Sequence, residues 1–126
     1  MRRNALMFLL TLVVSPAWAD WVKVGVMDDE EADFYIDPAT IRKDGSLRKV
    51  WELIDHKQRK MNGEMSYRSF VEYDCVAGRH RGLTLTTHSE PMAGGKILLM
   101  SLEAREWDYI PPKSVTESAL KIVCSK

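Results

Sequence analysis

Three histidines, two cysteines and a surplus of aromatic rings are the side chains of this 126-residue chain with chemistry beyond packing. His80 and His88 fall on one face of a predicted strand, eight positions apart. At about 3.3 Å per residue that is about 26 Å, too far for one metal ion. His56 lies near the end of another predicted strand, and with Met61 and Met65 it flanks one hairpin. Thioethers and imidazole suit Cu(I), but two methionines beside a turn are more simply edge packing. Gly94-Gly95-Lys96 lacks the first Gly and the Ser/Thr of a phosphate loop, and no helix follows it. Asp28-Asp29-Glu30-Glu31 lacks the alternating spacing and central Gly of a calcium loop. No nucleophile motif or zinc-protease motif is present. The expectation is a protein with no catalytic residues, no metal and no cofactor.

Cys75 and Cys124 match no CxxC redox or zinc spacing. An even pair in an oxidising compartment is expected to bridge, and the role is structural. The aromatic surplus points elsewhere. Most of the Trp and Tyr residues suit a small core or a sheet face. Trp107 and Tyr109, just before Pro111-Pro112, are placed at the end of an element, where partly exposed rings anchor protein contacts. They are the candidate binding residues.

That compartment is read from the N-terminus. Arg2 and Arg3 precede ten apolar or near-neutral residues, Ala5–Val14, and small residues stand at Ala17 and Ala19. This is a Sec-type signal peptide at residues 1–19, cut before Asp20. The apolar run is about half the roughly 20 residues a membrane span needs, so no span is expected. Taking 19 residues from 126 leaves 107, a single domain at 20–126. Two of 18 basic side chains leave with the signal, so 16 face 18 acidic ones and the mature charge is −2 with His neutral. A weakly acidic chain without a basic run has little to offer phosphate backbones, and nucleic acid is excluded as a partner.

Six strands follow from β-branched and aromatic enrichment between turn signals: Trp21–Val26, a short Asp33–Ile36, Leu47–Asp55, Met65–Cys75, Arg79–His88 and Ile97–Glu103. Asp37-Pro38-Ala39-Thr40 reads as a turn, and Asp44-Gly45 and Asn62-Gly63 read as hairpins. Short regular turns favour an antiparallel meander. Ser114 and Glu117 form a capping-box pattern, and Val115, Ala119, Ile122 and Val123 recur at helical spacing. The predicted fold is α+β: an antiparallel sheet of about six strands, with a C-terminal helix on one face tethered by Cys75–Cys124.

The ordered landmarks are Trp21, then Tyr35-Ile36-Asp37-Pro38-Ala39-Thr40-Ile41-Arg42, Gly45, Val50-Trp51, Ser69-Phe70-Val71-Glu72-Tyr73-Asp74-Cys75 and the closing Val123-Cys124. Their order and spacing resemble the surface-adhesin protein E family of Gram-negative bacteria over nearly all of the mature chain. The resemblance implies a six-stranded sheet with a disulfide-tethered helix, and a non-enzymatic, adhesive role. The functional expectation is an exported protein-binding module, periplasmic, secreted or at the cell surface, acting through a sheet face or edge. Its partner would be a host extracellular-matrix or serum protein or an envelope protein, with a homodimer left open. The competing readings are a periplasmic protein binding a metal or small hydrophobic ligand and, third, a hydrolase.

Overall fold

The computed structural model describes residues 19–27 and 29–126. The signal peptide expected at 1–19, apart from Ala19, lies outside them, as does Asp28 of the acidic turn. The chain forms β1 (Val22–Met27), β2 (Ala32–Asp44), β3 (Leu47–His56), β4 (Ser66–Asp74) and β5 (Arg79–Glu90). A 3-10 turn at Pro91–Ala93 leads into β6 (Gly94–Ser101), then β7 (Asp108–Tyr109) and α1 (Val115–Cys124). Strands β1 to β6 pair in sequence order, each antiparallel to the next, and β7 pairs with β5 beyond the end of β6. The meander and the helix are as the turn signals predict.

Three expectations are corrected. The short second strand is a 13-residue one, because Asp37-Pro38-Ala39-Thr40 does not reverse the chain. It makes an irregularity within β2, between the pairs Asp37↔Trp51 and Arg42↔Lys49. Asp37 Oδ1 accepts the Ala39 N–H, Thr40 Oγ1 donates to the Asp37 carbonyl, and Thr40 Oγ1 also accepts the Trp51 N–H. Side chains thus replace the ladder bonds that Pro38 interrupts. The last predicted strand, Ile97–Glu103, starts earlier and ends at Ser101. The seventh strand, β7, has only two residues and no periodicity to reveal it.

At Asp44-Gly45 the predicted hairpin is present: Gly45 and Ser46 link the paired Asp44 and Leu47, with Gly45 at φ +59°. A Cβ is disfavoured there, which is why Gly stands at this position. At the β4–β5 turn, Asp74 accepts the backbone N–H groups of Ala77 and Val76 and pairs with Arg79 at 3.1 Å. The Ala77 bond above all, with Arg79 and Val76 adding, holds its carboxyl below the usual range.

The core lies between one sheet face and α1. Phe34, Ile36, Val50, Val71 and Tyr73 supply the sheet side, and Ala119 and Val123 the helix side, all at 4% exposure or less. Ser114 Oγ caps the helix by accepting the Glu117 N–H at 3.1 Å. Glu117 does not complete the reciprocal box; its carboxylate takes the Lys113 N–H instead. The Cys75–Cys124 bridge is formed, with Cα atoms 5.8 Å apart, and pins the C-terminal end of α1 to the end of β4. The other end sits on β1. A Cβ built on Gly25 would stand 2.8 Å from Val115 Cγ2, so only Gly allows this approach. Gly25→Ala is therefore expected to lower the unfolding free energy by about 1–3 kcal/mol through overpacking. Chemical denaturation of the mature protein measures it, and an unchanged midpoint would show that α1 gives way freely at this end.

Candidate functional site

The helix covers only part of the sheet face it packs on. Beyond it, over β4 and β5, the same face holds an open cleft of about 870 Å³. Alternation on β4 directs Tyr67, Ser69, Val71 and Tyr73 to this face. Glu52 of β3 comes up beside them, paired with Ser69 on one side and Ile36 on the other. The stretch Glu103–Asp108 forms the opposite wall. It is held down where the Arg105 N–H donates to the Gly82 carbonyl at 2.8 Å.

Two carboxyls on the floor are unusual. Tyr73 Oη donates to Glu52 Oε2. No cation is paired with Glu52 among the described residues. It is densely enclosed by protein, yet its side chain keeps partial contact with the cleft. Burial pushes its carboxyl up to about 8, against the smaller lowering effect of the Tyr73 bond. Tyr73 is raised well above the usual phenol range by burial and then by Glu52. The His80 ring stacks on Tyr73 with centroids 5.7 Å apart, and burial lowers its pKa against the pull of Asp108. The second carboxyl, Glu64, meets His56 Nε2 at 2.6 Å in a buried pair. A neutral acid, a phenol and a neutral imidazole on a half-apolar floor can hydrogen-bond a ligand or meet a charge. No nucleophile stands beside an activating base in this set.

The three histidines are not brought together. A bulge in β5 changes its register between Gly82 and Thr84, so Val71 faces Gly82 while Phe70 faces Thr84. One extra residue reverses the alternation. His80 pairs with Tyr73 on the helix-bearing face and His88 pairs with Ser66 on the other, so the expectation that they share a face is corrected. Met61 is fully exposed at its turn, while His56 is turned inward to Glu64. Among the described residues no three His, Cys, Asp or Glu side chains are grouped to hold a metal ion.

Trp107 and Tyr109 lie on the same sheet margin but differ in their surroundings. The Trp107 ring is half-buried beneath two guanidinium groups, Arg79 at 4.5 Å and Arg81 at 4.4 Å. Arg81 also pairs with Glu72 and Arg79 with Asp74, so the ring belongs to a braced network. Tyr109, paired with Arg79 in β7, is 70% exposed.

Beside β7, the sheet ends on a surface that the sequence reading did not single out. Among the described residues strand β6 pairs only with β5, and its Ile97, Leu98, Leu99 and Met100 are 44–58% exposed, with Leu102 beyond them at 74%. The strand is firmly placed. The turn before it is tied down where the Met92 N–H reaches Asp55 Oδ1 and the Ala93 N–H reaches Ser66 Oγ. A run of apolar residues was legible there, but a run by itself reads equally as a buried strand.

The sequence profile of the surface-adhesin protein E family matches residues 21–125. The structure of Haemophilus influenzae protein E is similar in fold, with a TM-score of 0.61 at 13% identity, over 82% of this chain and 83% of that one. A structure of protein E from non-typeable Haemophilus influenzae gives 0.62 at 12% identity, over 88% and 79%. No curated protein matches the sequence at a significant level.

Proposed function

We propose, since this chain belongs to the surface-adhesin protein E family, that it is an adhesin-like module that binds another protein along its β6 margin. The family is that of a surface or secreted protein without catalysis as its role, and no helix among the described residues is long and apolar enough to cross a membrane. Export by the Sec route, with Asp20 as the first mature residue, belongs to the same reading. The observation that carries it is the exposed apolar run on an unpaired edge. Soluble domains usually protect edge strands with charges, prolines or a covering element. Here Lys96 is the only charge in the strand. An extended segment of a partner can add to such an edge through backbone bonds, with pockets for its side chains on either face. Tyr109 extends the contact surface, and Trp107 supports it by holding the margin in place. Host extracellular-matrix proteins are the first partner class to try, and envelope proteins the second.

A lysine within an edge strand is an established way to block strand addition. Leu99→Lys is therefore expected to weaken capture of immobilised matrix proteins about tenfold. Tyr109→Ala should weaken it less, and neither should shift the melting point much. Val22→Lys, on the opposite edge β1, serves as the control. Binding lost in Val22→Lys and kept in Leu99→Lys would overturn the reading.

A further inference from the structure

The cleft on the helix-bearing face is separate from the β6 edge, and its chemistry is of a different kind. Its lining carries Glu52, Glu103, Glu106 and Asp108, besides the Glu64 already bound to His56. Two cations stand against them, Arg81 and Arg105. The Arg81 side chain turns to the opposite face of the sheet, where Glu72 holds it at 2.9 Å and it stacks on the Trp107 ring. That leaves Arg105 facing the rim carboxyls of Glu103, Glu106 and Asp108, so the open space above Glu52 is an acidic one. Part of the lining is also apolar, with Val71 and Leu85 on the floor. A carboxyl set into a sheet floor with no cation beside it costs free energy to ionise, and a bound cation would offset that cost.

We infer that this cleft binds an organic cation carried on an apolar stem, with Glu52 at its floor as the counter-charge and Val71 and Leu85 beside the stem. A lysine side chain of a partner protein and a free alkylamine share this chemistry. An anion is disfavoured by the carboxyls of the rim, and a bare metal ion by the absence of a grouped ligand set among the described residues.

The groups that face Glu52 determine what binding does to its proton. Tyr73 of β4 bonds to it and stays a neutral phenol; His80 of β5 stacks on Tyr73 and is held neutral by burial. Neighbouring β2 offers Ile36. On its own strand, Arg48 is bonded to the carbonyls of Gly45 and Leu47. Across the cleft stand Asp108, Glu103, Glu106 and Arg105. Near neutral pH Glu52 in the free protein holds its proton, and an arriving cation favours its release. Cation binding should therefore expel up to about one proton and tighten as pH rises towards 8.

Calorimetric titration of the whole mature protein tests this with three probes: pentylamine, the blocked peptide Leu-Lys-Leu and pentanoate. Each is titrated near pH 7 in two buffers of different ionisation enthalpy, which counts the protons released. The expected result is that pentylamine or the peptide binds with proton release and pentanoate does not. A peptide much tighter than pentylamine assigns the site to a partner's lysine; the reverse assigns it to a free amine. Glu52→Gln should weaken cation binding about tenfold and abolish the proton release. Asp108→Asn, at the exposed rim, should weaken it less and keep the release; it stands in if Glu52→Gln folds poorly. Neither cation binding up to about 10 mM, pentanoate binding as well as pentylamine, or release unchanged in Glu52→Gln would overturn the inference.

Discussion

Replacing Cys75 and Cys124 together with serine is expected to lower the unfolding free energy of the mature protein by about 2–5 kcal/mol. The cysteines are 49 positions apart, and a closed loop of that size is worth about 4 kcal/mol in the chain-entropy account. The helix has little else to hold it. Its 10 residues are too few to be stable alone, and only Ala119 and Val123, both small, are fully buried. Partly buried Val115, Leu120 and Ile122 add contacts, but Ser125 and Lys126, which follow the helix, are exposed. The loss should appear as a melting point lower by roughly 10 °C or more. Amide exchange should accelerate first in α1, while β3 and β4 at the sheet centre stay protected. A midpoint unchanged in the double variant would mean that apolar contacts alone dock the helix.

The second large effect is a fall in stability as pH rises from about 4.5 to about 8. Glu52 titrates near 4.5 when unfolded and about 8 when folded. The folded protein therefore binds more protons between these values, and stability falls as pH rises through that window. Solvent reaching Glu52 from the cleft discounts the effect to roughly 2–3 kcal/mol. His80 and His88 act in the opposite sense. Burial lowers both, so the unfolded chain takes up more protons as pH drops through 6.5 and stability falls there instead. The Glu52 contribution is thus read most cleanly between pH 7 and 9. Denaturant midpoints across that range should decline in the wild type and stay level in Glu52→Gln. At pH 9 the variant should be the more stable protein, because its amide still accepts from Tyr73 Oη without carrying charge. An equal slope in both proteins would place the buried charge elsewhere.

By itself the sequence determined the parts that depend on neighbours along the chain. Alternation and turn residues mark five of the seven strands to within about three residues. Ser114 and the spacing of Val115, Ala119 and Val123 mark the helix, and the even Cys pair marks its tether. These are local preferences, set by backbone geometry and side-chain periodicity. What failed locally was a matter of register. Pro38 reads as a turn because it cannot join the ladder, and only the bonds from Asp37 and Thr40 to the neighbouring strand let β2 continue past it. One bulge at Leu83 separates His80 from His88, and no residue type there announces it. Tertiary structure alone decided the two surfaces on which function is proposed. Whether Ile97–Met100 is core or edge depends on β6 being last in the sheet, with none of the described residues folded over it. Glu52 is an ordinary strand glutamate in sequence. It becomes a proton-holding acid because Tyr73 and Ile36, remote along the chain, close around it and remove much of the water that would keep it ionised.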